Sequence, residues 1–246
     1  MGLARALCVA LNGIDGQLIE VEADISQGLP IVTVTGLGDK SVSEARDRIH
    51  AAVVNSGAVW PRHRVTIALL PADVRKIGSR FDLAMALAVL AAAGHVPAAD
   101  VAGIAWLGEL GLDGRLRRTR GILPAAAAAQ RAGVTRIVVP LANAAEAALI
   151  DGLEVRGARS LRDVLGWLRG DAPAPPIAQT LPDGPSPEPP DLADVLGQGA
   201  ARRRWRSRQR AVITSPWRGF RARARQCSPS VCLDCCRSST TRRRLS

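Results

Sequence analysis

The sequence predicts an α/β (α+β) domain, one layer of sheet covered by helices, followed by a basic tail that is expected to be disordered. Strand-like and helix-like apolar patterns alternate from residue 4 to residue 169, which is the order that layered α/β domains require. The stretch DAPAPPIAQTLPDGPSPEPPDL, residues 171–192, then breaks that pattern, being rich in proline and without an apolar period; it reads as a linker. Beyond residue 203 the organising signals stop. Residues 201–246 hold fourteen arginines and one acid, Asp234.

Each element has its own signal. ARALCVAL and QLIEVEADI read as strands joined by a turn in NGIDG, and IVTVTGL follows as a third strand after Gly28 and Pro30. SVSEARDRIHAAVVNSG carries apolar residues at helical spacing and closes on Asn55, Ser56 and Gly57, a helix stop. RVTIALL is the next strand, ended by Pro71, and a helix runs from about Phe81 to Ala93. IAWLGELGLDGRLR reads as a hairpin turning at Asp113 and Gly114. An alanine-rich helix at 122–132, the strand RIVVP, a helix NAAEAAL with Asn143 as N-cap, the strand LEVRGA and a helix SLRDVLGWL capped by Ser160 complete the domain.

The formal charge of +11 suggests an anionic partner until its location is considered. The tail alone is +13, which leaves 19 bases against 21 acids in residues 1–200. Cysteine divides the same way, with Cys8 in the body and Cys227, Cys232, Cys235 and Cys236 in the tail. One body cysteine suits a reducing compartment, and LAMALAVLAAAG at 83–94 is too short to span a bilayer. The expectation is a cytoplasmic protein with no membrane partner.

Three blocks in order carry a family resemblance: VEADISQGLPIVTVTGLGDKSVSEARDRIHAAVVNSG, RKIGSRFDLAMALAVLAAAG and LGELGLDGRLRRTRG. Over residues 3 to about 203 the chain resembles the N-terminal domain of the magnesium-chelatase-like AAA+ ATPases, the ComM or YifB family. The resemblance implies the fold of the Lon proteolytic domain (ribosomal protein S5 domain 2-like). It divides the chain into a Lon-like domain at 1–170, the linker at 171–192, the start of the AAA+ region at 193–203 and the tail at 204–246. In the intact family this domain precedes an ATP-driven ring motor, and ComM proteins are associated with branch migration of DNA in natural transformation.

Lon peptidases use a serine activated by a lysine whose pKa burial has lowered. The resemblance places Arg80 where that serine would stand and Leu123 where the lysine would, and neither residue does that chemistry. The body holds two lysines, Lys40 and Lys76; Ser79, near Lys76, reads as a helix-start cap rather than a nucleophile. His50, His63 and His95 are far apart in sequence, have no carboxylate or Cys partner at ligand spacing and read as surface or satisfied core histidines, Glu109 as a structural acid and Asp82 as a favourable charge at a helix start. Trp60, Trp106 and Trp167 read as core aromatics. No catalytic, cofactor-binding or metal residue is therefore assigned, no cofactor is expected, and the chain is expected not to be an enzyme.

The tail admits three readings. Its cysteines include one C-x-x-C but crowd within ten residues, unlike the paired knuckles of a zinc site. RRRWRSRQR, with Trp205 interleaved, has the charge and aromatic that nucleic-acid contact uses, although such a cation binds any polyanion. The third reading is a frameshift. Read one nucleotide earlier, with permissible codons, residues 205–226 can spell L-E-V-A-A-A-G-G-H-H and then L-T-M-A-G-F-P-G-T-G-K-T, ending in a Walker A phosphate loop. The expected product is a truncated ComM-type protein lacking its motor, with the alternative of a stand-alone binding module whose tail contacts nucleic acid.

Overall fold

The computed structural model describes residues 2–36 and 38–179. The remainder of the linker, the 193–203 segment and the arginine- and cysteine-rich tail lie outside the described residues.

The first two strands, β1 (Gly2–Asn12) and β2 (Asp15–Ser26), form the long antiparallel hairpin that the alternating sequence predicts. β3 (Val32–Thr35) leads through helix α1 (Lys40–Asn55) into β4 (Arg64–Leu70), which lies parallel to β3 and antiparallel to β2. Helix α2 (Asp82–Ala92) and the short α3 (Ala98–Val101) precede β5 (Ile104–Trp106). A small antiparallel pair, β6 (Glu109–Leu110) and β7 (Leu116–Arg117), is followed by α4 (Ile122–Arg131), β8 (Arg136–Pro140), α5 (Ala144–Ala147), β9 (Glu154–Ala158) and α6 (Leu161–Arg169). The main sheet has seven strands in the order β3-β4-β2-β1-β5-β8-β9. Four of its six pairings are parallel, so the sheet is mixed and the fold is α/β.

The core sits where α2 meets β1 and β2. Every residue from Leu83 to Leu90 is fully buried, because this helix is apolar around its whole circumference and is covered by strands on one side and α1 on another. The alanine-rich α4 packs on the turn end of the same hairpin. A Cβ on Gly16 would stand 2.4 Å from the Ala128 Cβ, so the close approach depends on glycine. Trp106 is buried, donates its indole N–H to the Val101 carbonyl at 2.9 Å and is tilted against the half-buried Trp167.

Ser160 caps α6 as expected, accepting from the Asp163 amide at 3.2 Å. Two expectations need correction. The run IAWLGELGLDGRLR is not one hairpin: Ile104–Trp106, buried throughout, joins the main sheet between β1 and β8, and only the β6 and β7 residues pair around Asp113 and Gly114. Asn143 does not cap a helix with its side chain. Its Oδ1 instead accepts from the Thr119 amide at 2.9 Å and its Nδ2 donates to the Thr119 carbonyl at 3.0 Å, satisfying a buried strand end. The helix α3 carries no capping signal that predicts it. The proline-rich segment also begins attached to the sheet, where Ile177 bridges Arg156 and the Ala178 amide donates to the Val155 carbonyl at 2.8 Å.

Among the described residues no helix is long and apolar enough to cross a membrane.

Candidate functional site

The loop between β4 and α2 is held by Asp39, the N-cap of α1. Its Oδ1 accepts from the Val42 amide at 3.0 Å and its Oδ2 from the Gly78 amide at 3.1 Å, while its own amide donates to the Lys76 carbonyl at 3.0 Å. Gly78 takes φ +88°, a conformation that side chains disfavour. A 3-10 turn, Ser79–Phe81, follows, with Phe81 fully buried as its anchor. Ser79, Arg80 and Asp82 then reach three different environments.

Ser79 donates its hydroxyl to Glu109 Oε2 on β6. It is not the side-chain helix cap the sequence suggests: Gly78 holds the N-cap position, and the Ser79 oxygen accepts from no amide of its own turn. Nor does Lys76 hold it. Lys76 is buried, with its ammonium donating to the Pro71 carbonyl, and burial moves its pKa below the ordinary lysine range against a smaller opposing effect of Asp73.

Asp82 is fully buried and takes two bonds from one guanidinium: Arg48 Nε to Oδ2 at 2.9 Å and Arg48 Nη2 to Oδ1 at 3.0 Å. The Leu110 amide adds a third at 3.3 Å. Burial pushes the Asp82 carboxyl up to about 6, with Arg48 pulling the other way, and the hydrogen bond to Asp82 raises the pKa of Arg48. Asp82 does open a helix, as expected, but it acts chiefly as half of a forked ion pair joining α1 to α2.

Arg80 has no such partner. Its Nε and Nη1 are buried and make no hydrogen bond, and burial lowers the pKa of its guanidinium. Its backbone carbonyl accepts from the Gly108 amide at 3.0 Å and from the Cys8 thiol at 3.7 Å. Cys8 is itself buried, which pushes its thiol up to about 12 and leaves it a small apolar residue. The guanidinium lies against the start of α4: a Cβ on Gly121 would stand 3.8 Å from Arg80 Nη1. Leu123 is two residues further on, with its amide bonded to Glu146 Oε1 at 3.2 Å. Arg80 and Leu123, the two positions that the family resemblance matches to a serine and a lysine, thus lie on neighbouring segments of the fold.

The three histidines gather around Trp60. His63 and His95 line one surface cavity of about 390 Å³ with Trp60 and Arg62, and His50 packs edge-on against Trp60 with ring centroids 5.2 Å apart. Their separation in sequence hides this. Among the described residues no three metal-ligating side chains converge.

Fold and site together define a mixed α/β domain of Lon-like type, with the loop that carries Arg80 set against the start of α4. The family model described as subunit ChlI of Mg-chelatase matches residues 21–143. The chain belongs to the magnesium-chelatase-like family that includes ComM and YifB. It is similar to an uncharacterized protein of Mycobacterium tuberculosis, 48% identical over 205 residues, and to the competence protein ComM of Haemophilus influenzae, 34% identical over 207. Each alignment covers 82% of this chain and 40% of the relative, so the chain spans about two fifths of the length of these proteins. It is also similar to the Lon protease of Mycolicibacterium smegmatis, 28% identical over 176 residues, or 67% of this chain and 22% of that one.

Proposed function

We propose that this chain is a catalytically silent Lon-type module of a ComM-type protein, lacking the ATPase motor. The observation that carries this reading is the occupation of the two Lon catalytic positions by Arg80 and Leu123. The nearest serine supports it, because Ser79 is committed to Glu109 while Lys76 is committed to the Pro71 carbonyl. The 246 residues contain no G-x-x-x-x-G-K-[ST] motif, so nothing in them cradles the phosphates of ATP as a P-loop does.

Residues 204–246 are read here as a frameshift product. Their shifted frame can spell a Walker A loop where the family places one, and the alignments with relatives leave 18% of the chain unmatched. The intact protein would be a cytoplasmic AAA+ ATPase linked to branch migration of DNA. Sequencing the gene from codon 195 past the stop tests the frameshift: AAA+ coding sequence in the neighbouring frame is expected, and its absence would return the tail to the status of a site. Phosphate release from ATP by the 246-residue chain is expected to stay at the blank level; sustained release would contradict the loss of the motor.

The charge of the tail favours a second reading, a binding module that contacts nucleic acid non-specifically. It requires salt-dependent binding that deletion of residues 201–246 removes, together with a phenotype.

A further inference from the structure

The seven-stranded sheet ends on β9, and an outer strand leaves a row of backbone N–H and C=O groups open to another strand. The chain itself returns to that edge. After α6 ends at Arg169, Gly170 takes φ +79° and the exposed residues 171–173 lead the backbone round to 175–178. This segment runs antiparallel to β9, with Ile177 opposite Arg156. The Gly157 amide donates to the Pro176 carbonyl at 3.1 Å and the Ala178 amide to the Val155 carbonyl at 2.8 Å.

Arg156 holds the segment from the β9 side. Its Nε donates to Glu154 Oε1 at 2.6 Å and its guanidinium carbon lies 5.6 Å from the centre of the Trp167 ring, so the group is oriented by the domain before the segment meets it. Nη1 then donates to the Pro175 carbonyl at 2.9 Å. Pro175 is buried at this contact while Ile177 stays exposed, which makes the proline the anchor and the apolar side chain a bystander. Pro175 and Pro176 also hold the segment extended in advance and offer no N–H to a further strand.

The tie is light: two backbone bonds and one side-chain bond, at the end of a short exposed connector. Nothing in those bonds depends on which copy of the chain supplies the segment. We propose that the outer edge of β9 is a strand-acceptor site, that residues 175–178 are its resident occupant, and that it takes the same segment from a second copy, so that two chains exchange straps. A second copy is the occupant that fits, because it brings the identical carbonyls and amide to Arg156, Gly157 and Val155, and the exchange creates no new surface beyond the connector. In dilute solution the strap of the same chain wins, since so short a connector holds it at an effective concentration on the order of millimolar.

The test uses the 15N-labelled 246-residue chain under reducing conditions and follows the Gly157 amide, which faces the strap. In the parent this amide is expected to exchange slowly with deuterated water. Ala178→Pro removes the N–H that Val155 accepts and opens the site while leaving β9 and Arg156 in place. A capped peptide of residues 171–179, DAPAPPIAQ, should then shift the Gly157 resonance saturably, with apparent affinity at least about tenfold tighter than for the parent, where the chain's own strap competes. Adding Arg156→Ala should weaken that binding about tenfold, and a scrambled peptide should leave the resonance fixed. For the second copy, the parent is refolded from urea at high protein concentration and its mass is read by light scattering. A dimer is expected, and excess peptide present during refolding should suppress it. The proposal is overturned if the Gly157 amide exchanges freely in the parent, if the scrambled peptide binds as the true one does, if the opened variant takes neither, or if the refolded parent stays monomeric or forms a dimer that the peptide leaves unchanged. The exchange and refolding arms use the parent alone, so they decide the matter even where Ala178→Pro does not fold.

Discussion

Two charged side chains flank Phe81, and they have opposite fates. Asp82 is deeper and fully satisfied, held by two bonds from Arg48 and one from the Leu110 amide, and it ties α1, α2 and β6 together. Arg80 is shallower and has two buried nitrogens with nothing to bond. A buried charge that is fully paired is explained by the fold; one left unpaired is a standing cost that the fold alone does not explain. The comparison assigns Asp82 to architecture and leaves two donors of Arg80 outside its hydrogen-bond network.

The largest expected effect breaks the paired side. Arg48→Leu strands the Asp82 carboxylate in the core and should cost about 3–5 kcal/mol, read as a lower urea midpoint with an unchanged slope. A loss under about 1 kcal/mol would mean that the pair is not structural.

The pH dependence sharpens the same point. Asp82 has a folded-state pKa raised from 3.8 to about 6, so the folded chain holds this proton more tightly than the unfolded chain does. Its contribution to stability is fully present below about pH 4 and is lost as pH rises through about 6. Urea midpoints measured from pH 4 to pH 7 should show this fall, and Asp82→Asn should flatten it. A midpoint that rose over that window because of Asp82 would contradict the sign.

Smaller effects test the other side. Arg80→Met removes the unpaired donors and is expected to stabilise the domain by up to about 1 kcal/mol, opposite in sign to Arg48→Leu. Strong destabilisation would show that Arg80 has a structural partner. As a measure of ordinary surface architecture, Ser160→Ala should cost about 1 kcal/mol through loss of the α6 cap.

Most of the fold was legible in the sequence because its signals are local. Alternation marked β1, β2 and β4, helical spacing marked α1, and the Ser160 cap lay three residues from the amide it serves. The misreadings were tertiary. Whether IAW belongs to a hairpin or to the main sheet depends on β1 and β8, and Asn143 is drawn from its helix by Thr119, 24 residues away. At the site, the residue types at positions 80 and 123 were legible, and neither is a serine or a lysine. That two donors of Arg80 make no hydrogen bond was not legible, because lacking a partner is a property of the surroundings. The same holds for Ser79 and Glu109, 30 residues apart, and for the histidines around Trp60.

The most direct test of the central claim is turnover of a fluorescently labelled unfolded protein by the 246-residue chain, run beside its Ser79→Ala variant and a Lon protease. The account predicts no turnover above the blank for either form of the chain. Turnover that Ser79→Ala abolishes would show that the loop at 76–82 holds a working nucleophile and would contradict the account.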